Sequence, residues 1–178
     1  MRLRRAVFVL HCLVAVHASA AMSKTVSGGS VHFYGAAVNA SCTVDAQSLD
    51  QSVMMDQVKV GVFSGPGTWA PPTAFGIKLE NCSDTISQFA SIAFTGEADP
   101  HDPQVFRAGY GADAATGVGI GIFDDKDNVI IPNATPVAKS ALSNGENMLM
   151  FNAKYRSVSP VVTSGSADAV VNFAVIYQ

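Results

Sequence analysis

The sequence predicts an immunoglobulin-like antiparallel β-sandwich behind an export signal. Three observations carry that prediction: the hydrophobic period along residues 30–177 is two, not 3.6; no stretch makes a long amphipathic helix; and clusters of Gly, Pro, Asn and Ser cut the chain into short runs. Apolar residues form 48% of the chain and charged residues 14%, which excludes a disordered protein.

The first element is the signal. Arg2, Arg4 and Arg5 form a basic head, residues 6–16 an apolar core, and Ala18-Ser19-Ala20-Ala21 a small-residue cleavage region. The core is shorter than the roughly 20 residues that span a bilayer, so the mature chain is expected to be soluble outside the cytoplasm. The expected division is a signal peptide at 1–21, an N-terminal extension at 22–38 and a folded domain at 39–178. Cys12 leaves with the signal. Removal of the three arginines leaves 8 basic residues against 14 acidic ones, a net charge of about −6, which argues against nucleic acid or an anionic membrane as partner.

Two cysteines then remain, Cys42 and Cys82. In an oxidising compartment they are expected to pair, closing a loop of about 40 residues. A zinc or redox site is the competing reading, but there is no CxxC and only His32 and His101 accompany them.

The predicted strands, in order, are 30–38, 51–62, 74–79, 88–95, 118–123, 147–156 and 168–177, rich in β-branched and aromatic residues. Between them lie Ser64-Gly65-Pro66-Gly67, Ala70-Pro71-Pro72, Asp99-Pro100-His101-Asp102-Pro103, Ser143-Asn144-Gly145 and Thr163-Ser164-Gly165, all turn signals. In the last strand Ala169, Val171, Phe173, Val175 and Tyr177 share one face and Asn172 and Gln178 the other, so an apolar row is expected to run almost to the terminus, with no further strand after it. In the first strand Val31, Phe33, Gly35 and Ala37 alternate on one face ahead of Cys42, behind the flexible run Ser27-Gly28-Gly29-Ser30. This segment is either a first strand paired within its own domain or one free to join a neighbour.

Other chemistry is weakly signalled. Asp124, Asp125, Asp127 and Asn128 lack the order, central glycine and closing glutamate of a calcium loop and read as a solvated hairpin turn. Gly117, Gly119 and Gly121 alternate within a strand, where close packing or a bulge explains them better than phosphate binding. There is no GxSxG elbow and no histidine set for a hydrolase or a copper–zinc dismutase, so no enzyme, cofactor or metal is expected.

The run from Val31 to Cys42, His-Phe-Tyr-Gly-Ala-Ala-Val-Asn-Ala-Ser between them, followed by Val44-Asp45-Ala46 and by Leu79-Glu80-Asn81-Cys82, resembles the type 1 fimbrial subunits of the chaperone–usher class. The ending agrees: Tyr177 is penultimate and Gly165 lies fourteen from the end, both positions of the family's signature. Residues 92–99, 122–128 and 153–156 look more like the family's minor, fimbrin-like members than its major subunits. Trp69 and its Gly/Pro-rich surround, and Tyr34, depart from the major-subunit pattern.

The resemblance implies the pilin fold, an immunoglobulin-like sandwich lacking its final strand. A periplasmic chaperone lends the missing strand, and at an outer-membrane usher the N-terminal extension of a neighbouring pilus subunit replaces it. Carried over, Val31, Phe33, Gly35 and Ala37 form the donor row. Val171, Phe173 and Val175 line the acceptor groove, with Gly165 near it, and Tyr177 with the carboxylate of Gln178 forms the chaperone's recognition handle. The implied product is a structural subunit of an adhesive fimbria, minor or rod-terminating. The alternative from another functional class is a self-contained secreted β-sandwich binding module.

Overall fold

In the computed structural model the described residues are Ser30 and 40–178; the expected signal peptide and the donor row at Val31, Phe33, Gly35 and Ala37 lie outside them. Val38–Gln178 form one compact unit. Among the described residues it has nine strands: β1 Thr43–Val44, β2 Thr73–Cys82, β3 Phe89–Gly96, β4 Phe106–Arg107, β5 Val118–Phe123, β6 Val129–Ile130, β7 Ser140–Ala141, β8 Gly145–Ser157 and β9 Val171–Tyr177. Among the described residues helix is confined to α1, Ala46–Leu49, and a 3-10 turn at Val60–Val62. Among the described residues no helix is long and apolar enough to cross a membrane.

Two antiparallel sheets form. Sheet A runs β1-β2-β8-β5-β4 with β6 also on β5, and sheet B runs β7-β3-β9. Register places apolar residues opposite one another on the inner faces: Ile77 opposite Leu149, Phe75 opposite Phe151 and Ile122 opposite Ala153 in sheet A, Ile92 opposite Val175 and Phe94 opposite Phe173 in sheet B. The sheets meet through aromatic rings. Phe94 of sheet B stands edge-on to Phe151 at 5.2 Å and to Phe75 at 6.2 Å, arrangements that favour the ring quadrupoles.

Cys42 and Cys82 are disulfide-bonded, fastening the start of the domain to the end of β2. The alternating glycines of β5 are explained by close packing on the outer face of sheet A. A Cβ at Gly121 would lie 2.5 Å from the Trp69 ring, and one at Gly119 would lie 2.5 Å from Val105. Trp69 thus caps β5, with its ring 4.9 Å from Phe123 and the Arg156 guanidinium 4.7 Å above it.

Three expectations need correction. Residues 51–62 do not form a strand: Val53, Met55 and Val58 are half-buried, but no neighbouring backbone forms a ladder with them among the described residues. The last strand begins at Val171, not 168, because β3 ends opposite it at Gly96. The turn after β5 is not fully solvated, since Asp124 is buried and its carboxylate accepts from the Lys126 and Asn128 backbone N–H groups at 2.9 and 2.8 Å.

Candidate functional site: an apolar row at a sheet edge

β9 has a partner on one side only among the described residues. Phe89 and Gln178 exchange both backbone hydrogen bonds, at 3.1 and 2.9 Å. Antiparallel pairing then alternates, so Val171, Phe173, Val175 and Tyr177 fall in non-hydrogen-bonded pairs with β3. Their N–H and C=O groups therefore point away from β3, toward the edge. The residues whose side chains face the core are thus the same ones whose backbones face the opening.

The side chains show the same opening. Ala167, Ala169, Val171, Phe173, Val175 and Tyr177 are all half-buried, whereas Asp168, Val170, Asn172 and Ala174 between them are exposed; Ile176, on the other face, is half-buried as well. An inner-face row in a closed sandwich is buried like Ile92 and Phe94 at 4% exposure, so this row sits on the core without a full cover. Val171, Phe173, Val175 and Tyr177 pack on the main core together with Val44 and Phe75, while Ala167 and Ala169 join a second cluster with Met55 and Tyr155. Reading the sequence located the row from Ala169 onward. Ala167, Met55 and Tyr155 extend it, and only the first of these continues the period-two pattern of the strand.

Gly165 and the two C-terminal residues are held in distinct ways. Gly165 lines a cavity of about 320 Å³ with Met55, Phe63, Val118 and Tyr155. A Cβ on it would collide with Ala115 N and Ala114 C and lie 2.6 Å from the Asp113 carbonyl oxygen. The next residue is bonded to that loop, with Ala115 N–H donating to Ser166 C=O at 2.8 Å and Ser166 N–H donating to Asp113 C=O at 3.0 Å. Gly165 therefore allows the chain to press against residues 113–115 as it turns into the row.

The Tyr177 ring faces the core, and its hydroxyl donates to the Cys42 carbonyl oxygen at 3.0 Å. Burial raises the pKa of that hydroxyl. Gln178 is exposed. Nothing in this arrangement provides a nucleophile with a base; what it offers is backbone hydrogen bonding along an edge and a graded apolar surface beside it.

Comparison with known proteins adds a separate line of observation. The family model described as "Fimbrial protein" matches residues 31–178. The chain is similar to the putative fimbrin-like protein FimI of Salmonella typhi, 36% identical over 153 residues that cover 85% of this chain and 86% of that protein. It is similar to the type-1 fimbrial protein A chain of Escherichia coli, 35% identical over 185 residues and the whole of both chains. Among solved structures, the P pilus rod subunit PapA superposes with a TM-score of 0.67 at 25% identity, covering 78% of this chain and all of that one.

Proposed function

The chain belongs to the fimbrial protein family, and from that premise we propose that it is assembled into its fibre by strand addition along β9. The observation that carries the proposal is the coincidence on Val171, Phe173, Val175 and Tyr177 of half-buried side chains and edge-facing backbone groups. An incoming strand that pairs there satisfies the edge by main-chain hydrogen bonds and seats every second side chain on the core.

The donor is the N-terminal extension of a neighbouring subunit, with Val31, Phe33, Gly35 and Ala37 as its inward row. Gly35 is suited to a point where the acceptor leaves no space for a side chain. Before assembly a periplasmic chaperone supplies the strand and an outer-membrane usher receives the complex. Tyr177 and Gln178 form the chaperone's handle: the inward tyrosine fixes the end of β9, and the exposed terminal carboxylate offers a charge for basic residues to grip. Within the fibre the subunit is minor or rod-terminating, a role supported by the resemblance of residues 92–99, 122–128 and 153–156 to the family's fimbrin-like members. No cofactor enters the scheme.

The test is periplasmic expression with and without a fimbrial chaperone, followed by an unboiled denaturing gel of the purified product. Strand addition predicts chaperone-dependent recovery. A heat-sensitive ladder that forms from the isolated complex and disappears on deletion of residues 23–38 identifies a self-polymerising subunit; chaperone dependence without a ladder identifies a minor or terminating one. A stable monomer, indifferent to both the chaperone and the deletion, refutes the proposal.

A further inference from the structure

Two Asp-Pro bonds, Asp99–Pro100 and Asp102–Pro103, stand in the loop between β3 and β4. A prolyl nitrogen carries no hydrogen and belongs to a tertiary amide, which makes it the readiest peptide nitrogen to depart once it takes a proton. The aspartate ahead of it holds a nucleophile that reaches its own carbonyl carbon by closing a five-membered ring. The fold treats the two bonds differently.

Asp99 is 7% exposed, and its Oδ1 accepts from the His101 and Asp102 N–H groups at 2.8 and 3.2 Å. Bonds to residues two and three ahead fold the carboxylate forward over the Asp99–Pro100 peptide. The Asp99 N–H donates to the Val105 C=O at 2.9 Å, so main chain and side chain are both fixed. Both carboxylate bonds fall on Oδ1, which makes Oδ2 the attacking oxygen. His101 is the proton source beside it: its side chain is 71% exposed and Nδ1 lies 3.5 Å from Asp99 Oδ1. Pro100 is exposed too, so imidazolium and water both have access to the bond.

At Asp102 both oxygens are engaged. Oδ2 lies 3.1 Å from Arg156 Nε, and Oδ1 accepts from the Gln104 N–H at 3.1 Å. Gln104, which does not titrate, stands after Pro103 where His101 stands after Pro100. Nucleophile and proton donor are therefore paired at the first bond only.

We propose that this chain cuts itself at the Asp99–Pro100 bond in mildly acid solution. Asp99 Oδ2 attacks the Asp99 carbonyl carbon, the C–N bond breaks, and its electron pair leaves on the Pro100 nitrogen, which takes the imidazolium proton of His101. The products are a cyclic anhydride on Asp99 and a free Pro100 amine. Water then opens the anhydride to two carboxyl groups, and His101 recovers its proton from solvent. The charged groups around Asp99 are His101 and Asp102 on the loop, Arg107 of β4 with Glu97 2.6 Å from it, and, through Asp102, Arg156 of β8. Among them His101 is the one that gains a charge in mild acid.

β2, β3, Cys42 and Cys82 lie ahead of the cut, and β5, β8 and β9 lie after it. The disulfide therefore does not join the two pieces; the β2–β8 and β3–β9 ladders hold them. In a fibre assembled through β9, a reading the scission itself does not need, the cut breaks the covalent path between the donor segment and the acceptor edge.

The purified folded chain is held across about pH 3–8 with protease inhibitors, then denatured at neutral pH and resolved on an unreduced gel, with intact masses of the bands. One fragment ending at Asp99 and one beginning at Pro100 are expected, at a rate that peaks in mild acid and falls where the imidazole loses its proton or the carboxylate gains one. Hydroxylamine in the buffer is expected to leave a hydroxamate on Asp99, the mark of an anhydride. Asp99→Asn keeps the Oδ1 acceptor and should abolish the cut; His101→Gln should slow it about a hundredfold; Asp102→Asn should leave it unchanged. In urea at the same pH the two bonds should cleave at similar, slower rates. An intact chain throughout, equal cutting at Asp102–Pro103, or a rate indifferent to His101→Gln overturns the proposal. None of these readouts involves a chaperone or a neighbour, so failure here leaves strand addition standing, and the reverse holds as well.

Discussion

Replacing Gly165 by alanine tests whether the turn into β9 is set by backbone contact. The added Cβ meets Ala115 N, Ala114 C and Asp113 O, all main-chain atoms with no flexible side-chain end among them. To accept it the segment must back away from residues 113–115, which loosens the two hydrogen bonds on either side of Ser166. Those bonds contribute about 0.5–1.5 kcal/mol each, and overpacking against a fixed neighbour adds about 1–3 kcal/mol. A loss of about 3 kcal/mol is therefore expected. With a urea dependence of about 2 kcal/mol per molar, the unfolding midpoint falls by about 1.5 M.

The assay is urea unfolding followed by fluorescence of Trp69, the single tryptophan, whose ring is packed on Phe123 and Arg156. Gly61→Ala is the paired control, because no heavy atom lies within 4 Å of a Cβ there. A Gly165→Ala midpoint indistinguishable from that of Gly61→Ala would refute the close-contact argument.

Three further outcomes follow from the same geometry. Cys42→Ser with Cys82→Ser opens a loop with a sequence separation of 40 and is expected to cost about 4 kcal/mol in the chain-entropy description, read as a lowered urea midpoint. Tyr177→Phe removes the bond to Cys42 and should cost about 1 kcal/mol. Because burial holds the folded tyrosine's pKa above its unfolded value, the stability it contributes is complete below about pH 10 and lost as pH rises through the folded pKa; the variant's alkaline unfolding should be shallower, and an unchanged slope would count against this. Asp124 is pushed upward by burial but brought below its ordinary value by the combined hydrogen bonds from Asn128 and Lys126. Its contribution is therefore present above about pH 4 and lost as pH falls through the lowered folded pKa, so Asp124→Asn should flatten the acid limb of a stability profile below about pH 4.

Legibility in the sequence followed the range of the forces involved. β5 was placed at 118–123, the span it occupies, because every residue in it is packed and turn signals bound it. Strands 2 and 8 run longer than their apolar periods and strand 3 is shifted by one residue, since ladder bonding continues through Thr73, Gly96 and Gly145, residues with no hydrophobic signal. Residues 51–62 failed for the opposite reason: a local pattern suited to a strand has no ladder partner there among the described residues. The two-residue strands β1, β4, β6 and β7 are too short to carry a period. At the candidate site, Val171, Phe173, Val175 and Tyr177 could be read from alternation alone, whereas the contributions of Met55 and Tyr155 depend on tertiary packing. Gly165 was recognised by position, and its physical reason, contact with the backbone of 113–115, appears only in three dimensions.

Cys42 also determines how the domain carries load. Its sulfur is bonded to Cys82 at the end of β2, and its carbonyl oxygen receives the hydroxyl of Tyr177 at the end of β9. Tension on the chain ahead of Cys42 is therefore divided at that residue, through a covalent link into sheet A and a hydrogen bond into sheet B. The stretch between the two cysteines, whose sequence separation is 40, holds α1, the 3-10 turn, Trp69 and most of β2 and lies off the covalent path. Under a pull, this domain behaves as a short coupling between its two sheets, and the packing of that stretch, β2 included, is spared the load.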